Sequence, residues 1–132
     1  MAALKLQVVT PERLVVETDA DEVQLPGSQG YLGILPGHTQ LLTLLRTGVL
    51  SYRRAGAEMT LAVSPGLAEI SNDQVSVLAD SAETPGEIDA AAAEQERSRA
   101  EKEMATASAE TLPEIQARFA IAQARLSVTR RG

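Results

Sequence analysis

Along the first two-thirds of the chain, apolar and polar residues alternate in short runs. Along the last third, apolar residues recur every three or four positions. In "LKLQVV", Leu4, Leu6 and Val8 fall on one face with period two, the pattern of a half-buried strand. "RLVVETDADEVQL" offers two more strand-forming pieces around the acidic stretch Asp19 to Glu22, and "GVLSYRR" and "MTLAVS" follow, separated by "AGAE". "GLAEISNDQVSVLAD" reads as a hairpin turning at Ser71, Asn72 and Asp73, with Val75, Val77 and Ala79 sharing a face. Many short strands at close spacing predict an antiparallel β-sandwich or barrel over residues 1–84.

The pattern changes after Glu83. Strong helix formers take over, and Pro85-Gly86 is the natural joint between the two halves. One helix is predicted from about Asp89 to Ala107 and a second from near Leu112, where Thr111 and Glu114 have capping-box spacing and Pro113 suits the first turn. Residues 87–132 therefore form an αα-hairpin. Ile115, Phe119, Ala122 and Leu126 make an apolar stripe on the second helix, facing Ala93, Ala100, Met104 and Ala107 on the first. At about 25 cal/mol per Å2 an alanine seam stabilises much less than a leucine seam. Short helices need docking to persist. The hairpin is thus expected to be weakly held, able to fold back or to extend along a partner. The fold class is α+β, a sandwich of about ten strands followed by two helices.

The stretch "VQLPGSQGYLGILPGHTQLLTLL" (23–45) carries four glycines and the only histidine of the chain. A Walker loop needs GxxxxGK[ST], and no Lys is near; GxGxxG is absent as well. The simpler reading is that Gly27, Gly30, Gly33 and Gly37 occupy positive-φ turn positions opened by Pro26 and Pro36. His38, just after Pro36-Gly37, sits at a turn with no nucleophile context around it.

Composition narrows the class further. The 132 residues hold 44% hydrophobic residues but only 2% aromatics, so the core must be aliphatic. The net charge of -6 argues against nucleic-acid binding, which draws on clustered Lys and Arg. No cysteine and one histidine leave no disulfide framework and no zinc-type ligand set. No run of about 18 apolar residues is present, so no membrane insertion is expected. Charge is divided unevenly: residues 1–86 hold ten acidic against five basic residues, and residues 87–132 eight against seven. In the second part, Arg118, Arg125, Arg130 and Arg131 make a basic chain end.

Taken with the β-then-αα layout, "EVQLPGSQGYLGILPGHTQLLTLLRTGVL", "LAVSPGLAEISNDQVSVLADSAE" and an Ala-rich hairpin ending "ARLSV" resemble the epsilon subunit family of bacterial F-type ATP synthases. The resemblance covers nearly the whole chain. It implies a non-catalytic rotor subunit on the foot of the central shaft, the gamma subunit, touching the c-ring and coupling proton flow to ATP synthesis. A peripheral position on the cytoplasmic face of the cell membrane follows, and a monomer when isolated. The family places the turns from Tyr31 to His38 at the gamma and ring contacts, giving Tyr31, Leu32, Pro36, His38 and Leu41 as interface candidates. Its helical hairpin folds against the sandwich or extends along the shaft. The extended form brakes ATP hydrolysis through basic residues that meet the alpha/beta catalytic head, here Arg118, Arg125, Arg130 and Arg131.

Some members bind ATP between the folded helices through an I/L-D-x-x-R-A motif and further arginines. Ile88 and Asp89 match that motif, and Arg99 and Arg125 stand at matching places. Ala92 occupies the motif's arginine position, and Ile121 stands where a second-helix arginine is expected. Losing two guanidiniums removes bidentate phosphate recognition, so ATP binding is expected to be weak or absent and no cofactor is implied. Two other readings are a small ligand-binding or enzymatic β-sandwich with a helical dimerisation arm, and an adaptor without control of hydrolysis. The lone His and the missing nucleophile context weigh against the enzymatic one.

Overall fold

In the computed structural model, which describes residues 3–131, ten strands precede two helices. The strands are β1 (Leu4–Val9), β2 (Leu14–Ala20), β3 (Glu22–Gly27), β4 (Gly30–Ile34), β5 (Leu41–Leu45), β6 (Gly48–Arg54), β7 (Ala57–Val63), β8 (Gly66–Ser71), β9 (Gln74–Ala79) and β10 (Ala82–Glu83). Hydrogen bonding links them in the order β10-β7-β6-β3-β5-β8-β9-β1-β2, with β4 paired to β3 off this path. All pairs are antiparallel except β1 with β9, which run parallel, so the expected antiparallel sheet carries one parallel seam. That seam arises because β1 enters between its hairpin partner β2 and the distant β9. Arg54 of β6 donates to the Thr18 hydroxyl of β2 at 2.9 Å, a side-chain link between strands far apart in the hydrogen-bonded order.

The alternation in the sequence decides what faces inward. Leu4, Leu6 and Val8 are fully buried, as are Val75 and Val77, with Ala79 nearly so. Every strand contributes to one cluster that includes Val23, Leu25, Ile34, Leu45, Leu50, Leu61, Val63, Ala68, Ile70 and Ala82. Its buried members are all aliphatic, as the composition requires.

Two hairpins turn on two residues in left-handed conformation, Ala55-Gly56 (φ 52° and 82°) and Asn72-Asp73 (φ 51° and 61°). Two positive-φ residues match the right-handed twist of the flanking strands. In the second hairpin Ser71 belongs to the ladder, paired with Gln74.

The glycines of residues 23–45 correct the expectation that all four mark turns. Gly30 (φ 131°) and Gly37 (φ 89°) have positive φ, whereas Gly27 and Gly33 lie within β3 and β4. Gly27 is required by space, because a Cβ there would lie 2.7 Å from the Gly30 carbonyl oxygen. Pro26 opens no turn either; it lies in β3 opposite Tyr31.

The joint is more ordered than a Pro-Gly break suggests. Pro85–Glu87 forms one 3-10 turn, and the Glu87 carboxylate accepts from the Thr84 backbone N–H and hydroxyl, both at 3.0 Å. Helix α1 (Ala90–Met104) is capped by Asp89, whose carboxylate accepts from the Ala92 N–H at 3.0 Å. Helix α2 spans Leu112–Arg131. The box expected between Thr111 and Glu114 is replaced by one a turn earlier. The Ser108 N–H donates to the Thr111 hydroxyl, and the Thr111 N–H donates to the Ser108 hydroxyl, at 3.1 and 3.2 Å. Ser and Thr reciprocate here because each hydroxyl both accepts and donates.

The hairpin is folded back against the sandwich. Ala93 and Ala100 of α1 are buried, as are Ile115, Ala122 and Leu126 of α2, in keeping with the predicted seam. A second face of α2 docks on the sheet: Ala124 and Val128 pack with Val49 of β6 and Ala62 of β7, flanked by Ile88.

Candidate functional site

Three regions carry the residues that sequence reasoning singled out. The first is the end of the sandwich near Tyr31. This side chain is 54% exposed yet built into the fold. Its hydroxyl accepts from the Val49 N–H at 3.3 Å, and the Arg46 guanidinium stacks on its ring 5.3 Å from the centroid. Arg46 is itself fixed, donating from its backbone to the Pro26 carbonyl at 2.9 Å and from Nε to the Gly27 carbonyl at 3.0 Å. Gly48 leaves the room for this arrangement, since a Cβ there would meet Pro26 at 2.8 Å and the Tyr31 hydroxyl at 3.2 Å.

Pro36 and His38 lie beyond the other end of β4, and the three strand steps from Tyr31 to Ile34 alone span about 10 Å at ~3.3 Å per residue. The His38 N–H donates to the Leu35 carbonyl at 3.1 Å, and its ring Nδ1 lies 2.7 Å from the Thr39 carbonyl oxygen. The Gly37 N–H donates to the Asp73 carboxylate at 2.7 Å, tying this loop to the β8–β9 turn. Structure thus separates Tyr31 from Pro36 and His38 instead of joining them in one patch.

Between these ends runs an exposed apolar face that the sequence reading missed. On β5 the alternation turns Leu41 toward the core and Leu42 and Leu44 outward, and Leu32 of β4 likewise packs against the core. Leu44 lies opposite Leu67 on β8, and Leu67 opposite Leu78 on β9. Leu42, Leu44, Leu67 and Leu78 are 67%, 61%, 40% and 56% exposed. Beside them Val9, Pro11, Leu67 and Leu78 line an open depression of about 450 Å3. Adjacent exposed leucines on three neighbouring strands mark an interaction surface better than scattered ones do. The signal was legible in "LLTLL", where both phases of the alternation are apolar.

The third region is a groove of about 480 Å3 under the joint, lined by Glu83, Glu87, Ile88, Asp89, Ala92, Ala93, Glu96, Arg118, Ile121 and Arg125. Ile88, Asp89 and Arg125 converge there, whereas Arg99 points away, 72% exposed, beside Glu96 and Glu103. Four carboxylates face two guanidiniums, and both guanidiniums are engaged. Arg125 Nε donates to Glu83 at 2.6 Å, and Arg118 donates to Glu96 and Glu103 at 3.2 and 2.8 Å. Arg13 donates to Glu87 at 3.0 Å and to the Ala82 carbonyl at 3.2 Å. That guanidinium, together with Thr84, holds the Glu87 carboxyl at about 2 instead of the ordinary 4.5. Arg130 stands 4.0 Å from Glu94, and the Arg131 side chain lies outside the described residues.

Among the described residues no group of three or more His, Cys, Asp or Glu is arranged to hold a metal ion, and no helix is long and apolar enough to cross a membrane. Among the described residues the hydrogen-bond partners of His38 are backbone carbonyls, of Thr39 and Leu35, and neither a side-chain hydroxyl nor a carboxylate.

These features define a class of protein, a docking module made of a rigid sandwich with a hydrophobic outer face and a two-helix arm. Residues 3–85 match the model of the ATP synthase delta/epsilon chain β-sandwich domain. The chain is 50% identical over 105 residues to the ATP synthase epsilon chain of Moorella thermoacetica, spanning 79% of this chain and 78% of that one. It is 42% identical over 132 residues to ATP synthase epsilon chain 2 of Syntrophotalea carbinolica, spanning 98% and 95%. Its fold is similar to a chain of the Euglena gracilis mitochondrial ATP synthase cryo-EM structure, with a TM-score of 0.84 at 17% identity over 96% of this chain and 81% of that one. The chain belongs to the ATP synthase delta/epsilon chain family. The resemblance seen in the sequence motifs is therefore confirmed over both the sandwich and the arm.

Proposed function

We propose that this chain is the non-catalytic central-stalk subunit of an F-type ATP synthase, with the sandwich as its docking part and the helical arm as its regulatory part. The exposed leucine face of β5, β8 and β9 carries this reading. It is an apolar surface on a rigid module, as a rotor coupling element needs. Its occupant is the gamma subunit. The ends of the sandwich near Tyr31 and near His38 lie next to that face and contact gamma and the c-ring. The subunit is peripheral on the cytoplasmic side of the membrane and is monomeric when isolated.

Binding to purified gamma tests the reading. Leu44→Asp and Leu67→Asp lie on the outer face and leave the fold intact, and each is expected to weaken binding by more than about tenfold, since each would bury an unpaired carboxylate in an apolar interface. Unchanged affinity in both variants would remove the leucine face from the interface.

Release of the arm toward the alpha/beta head is the regulatory step, and it frees Arg125 from Glu83 of the sandwich. Arg118 and Arg130 are paired with carboxylates of α1 and are carried to the head with the hairpin. ATP is not the ligand that decides between the forms. The groove that holds Ile88, Asp89 and Arg125 carries more carboxylates than guanidiniums, Asp89 is occupied as a helix cap, and Ala92 and Ile121 supply no charge. Calorimetric titration of the full chain with ATP is expected to give no saturable binding in the micromolar range. A micromolar dissociation constant would contradict this.

A further inference from the structure

If ATP does not hold the arm, something within the chain must. Among the described residues, two sets of contacts join the helices to the rest of the molecule. The apolar one is small: Ala124 and Val128 against Val49 and Ala62, flanked by Ile88. The polar one is the pair between Arg125 of α2 and Glu83 of β10, at 2.6 Å with both side chains about two-thirds covered. The other arginine pairs do not bridge the two parts in this way. Arg118 joins α2 to α1 and travels with the hairpin. Arg13 joins the β1–β2 connection to the 3-10 turn, which stays with the sandwich.

We propose that the Glu83–Arg125 pair is the releasable clasp of the arm, and that the arm pivots at Ile88–Asp89, beyond a turn that Arg13 keeps fixed. The pivot follows from the hydrogen bonds on either side. Glu87 is tied to Arg13 and Thr84, so the segment through Glu87 remains attached to the sandwich. Asp89 caps α1, so everything after it moves as part of the helix. Ile88 and Asp89 have extended backbones between these two rigid pieces (φ,ψ of -99°,129° and -87°,103°) and meet the requirement for a hinge. Ile88 also packs against the cluster that Ala124 and Val128 complete with Val49 and Ala62, so undocking opens the packing around the hinge in the same step.

A clasp of this kind responds to ionic strength and not to nucleotide. A partly exposed pair is screened by salt, and its loss shifts the docked equilibrium about fivefold. The inference rests on the reading of the hairpin as a movable arm.

The chain has no cysteine, so spin labels introduced at exposed Glu58 and Gln123 of the full-length protein report the distance between β7 and α2. In Glu83→Gln the long-distance population is expected to rise about fivefold over the parent, and sodium chloride is expected to raise it in the parent alone. Glu83→Arg combined with Arg125→Glu restores the docked distance, and Arg118→Gln leaves it in place. A distance distribution for Glu83→Gln identical to the parent would overturn the clasp. Undocking in Arg13→Gln as complete as in Glu83→Gln would overturn the pivot. Hydrolysis measurements on the assembled synthase separate this proposal from the reading beneath it. If Glu83→Gln undocks the arm but leaves the rate unchanged, the clasp stands and the regulatory reading falls. If the arm brakes hydrolysis but Glu83→Gln does not undock it, the clasp alone falls.

Discussion

The sandwich and the hairpin are built from the same kinds of residue, yet they are held together differently. In the sandwich every strand delivers Val, Leu, Ile or Ala to one continuous cluster, and most of the large members are fully buried. The hairpin closes the alanines of α1 on Ile115, Ala122 and Leu126 of α2, and docks on the sheet through Ala124 and Val128 against Val49 and Ala62. Burial scales with side-chain area, so the first arrangement makes a permanent body and the second a contact that can be given up. Arginine pairs supplement the weaker contact, and they are exchangeable with water or a partner. A rotor subunit needs both kinds of attachment, one that persists through every turn and one that releases.

The comparison breaks first at the core. Ile70→Ala should cost about 3 kcal/mol of global stability, read from the denaturant midpoint, because Ile70 is 1% exposed and its cavity cannot collapse into a rigid sheet. A loss under about 1 kcal/mol would mean that the sandwich packs no better than the arm.

A smaller and more local effect is expected for Val128→Asp. The side chain is fully buried against the sheet, and an unpaired carboxylate there is incompatible with docking. Amide exchange in α2 should accelerate at least about tenfold while exchange in β1 and β9 is unchanged. Equal acceleration in both parts would show a single cooperative unit.

The smallest effect is electrostatic and confined to the joint. Glu87 has its pKa lowered to about 2, so its bond to Arg13 and Thr84 contributes stability that is fully present above the ordinary 4.5 and disappears as pH falls through about 2. In Arg13→Gln the Glu87 carboxyl should titrate closer to 4.5, seen by NMR, and the joint should loosen at a correspondingly higher pH. An unmoved Glu87 titration would assign the low value to Thr84 alone.

Much of this molecule is legible in its sequence, and the exceptions share a cause. Period-two runs identified the inward faces of β1 and β9, and a run of strong helix formers located α1, because these depend on neighbours in the chain. The parallel seam between β1 and β9 depends on residues about seventy positions apart, and nothing local announces it. Gly27 and Gly33 resemble turn glycines until the strands they belong to are paired. The second face of α2 could have been read from the spacing of Ile121, Ala124 and Val128. It was hidden because the stripe beside it, Ile115 to Leu126, already accounted for the helix. The interface candidates were drawn from one continuous segment, whereas the exposed leucines come from three strands that only the register brings together.

The central claim is that the sandwich docks and the arm regulates. ATP hydrolysis by the catalytic complex, assembled with the full-length chain or with a chain ending after Ile88, tests it most directly. That end point retains β10 and the Arg13–Glu87 bond. Both forms are expected to join the complex, and hydrolysis is expected to be faster with the shortened one. Equal rates with both forms bound would contradict the regulatory role of the arm, and failure of the shortened chain to bind would contradict the division of labour itself.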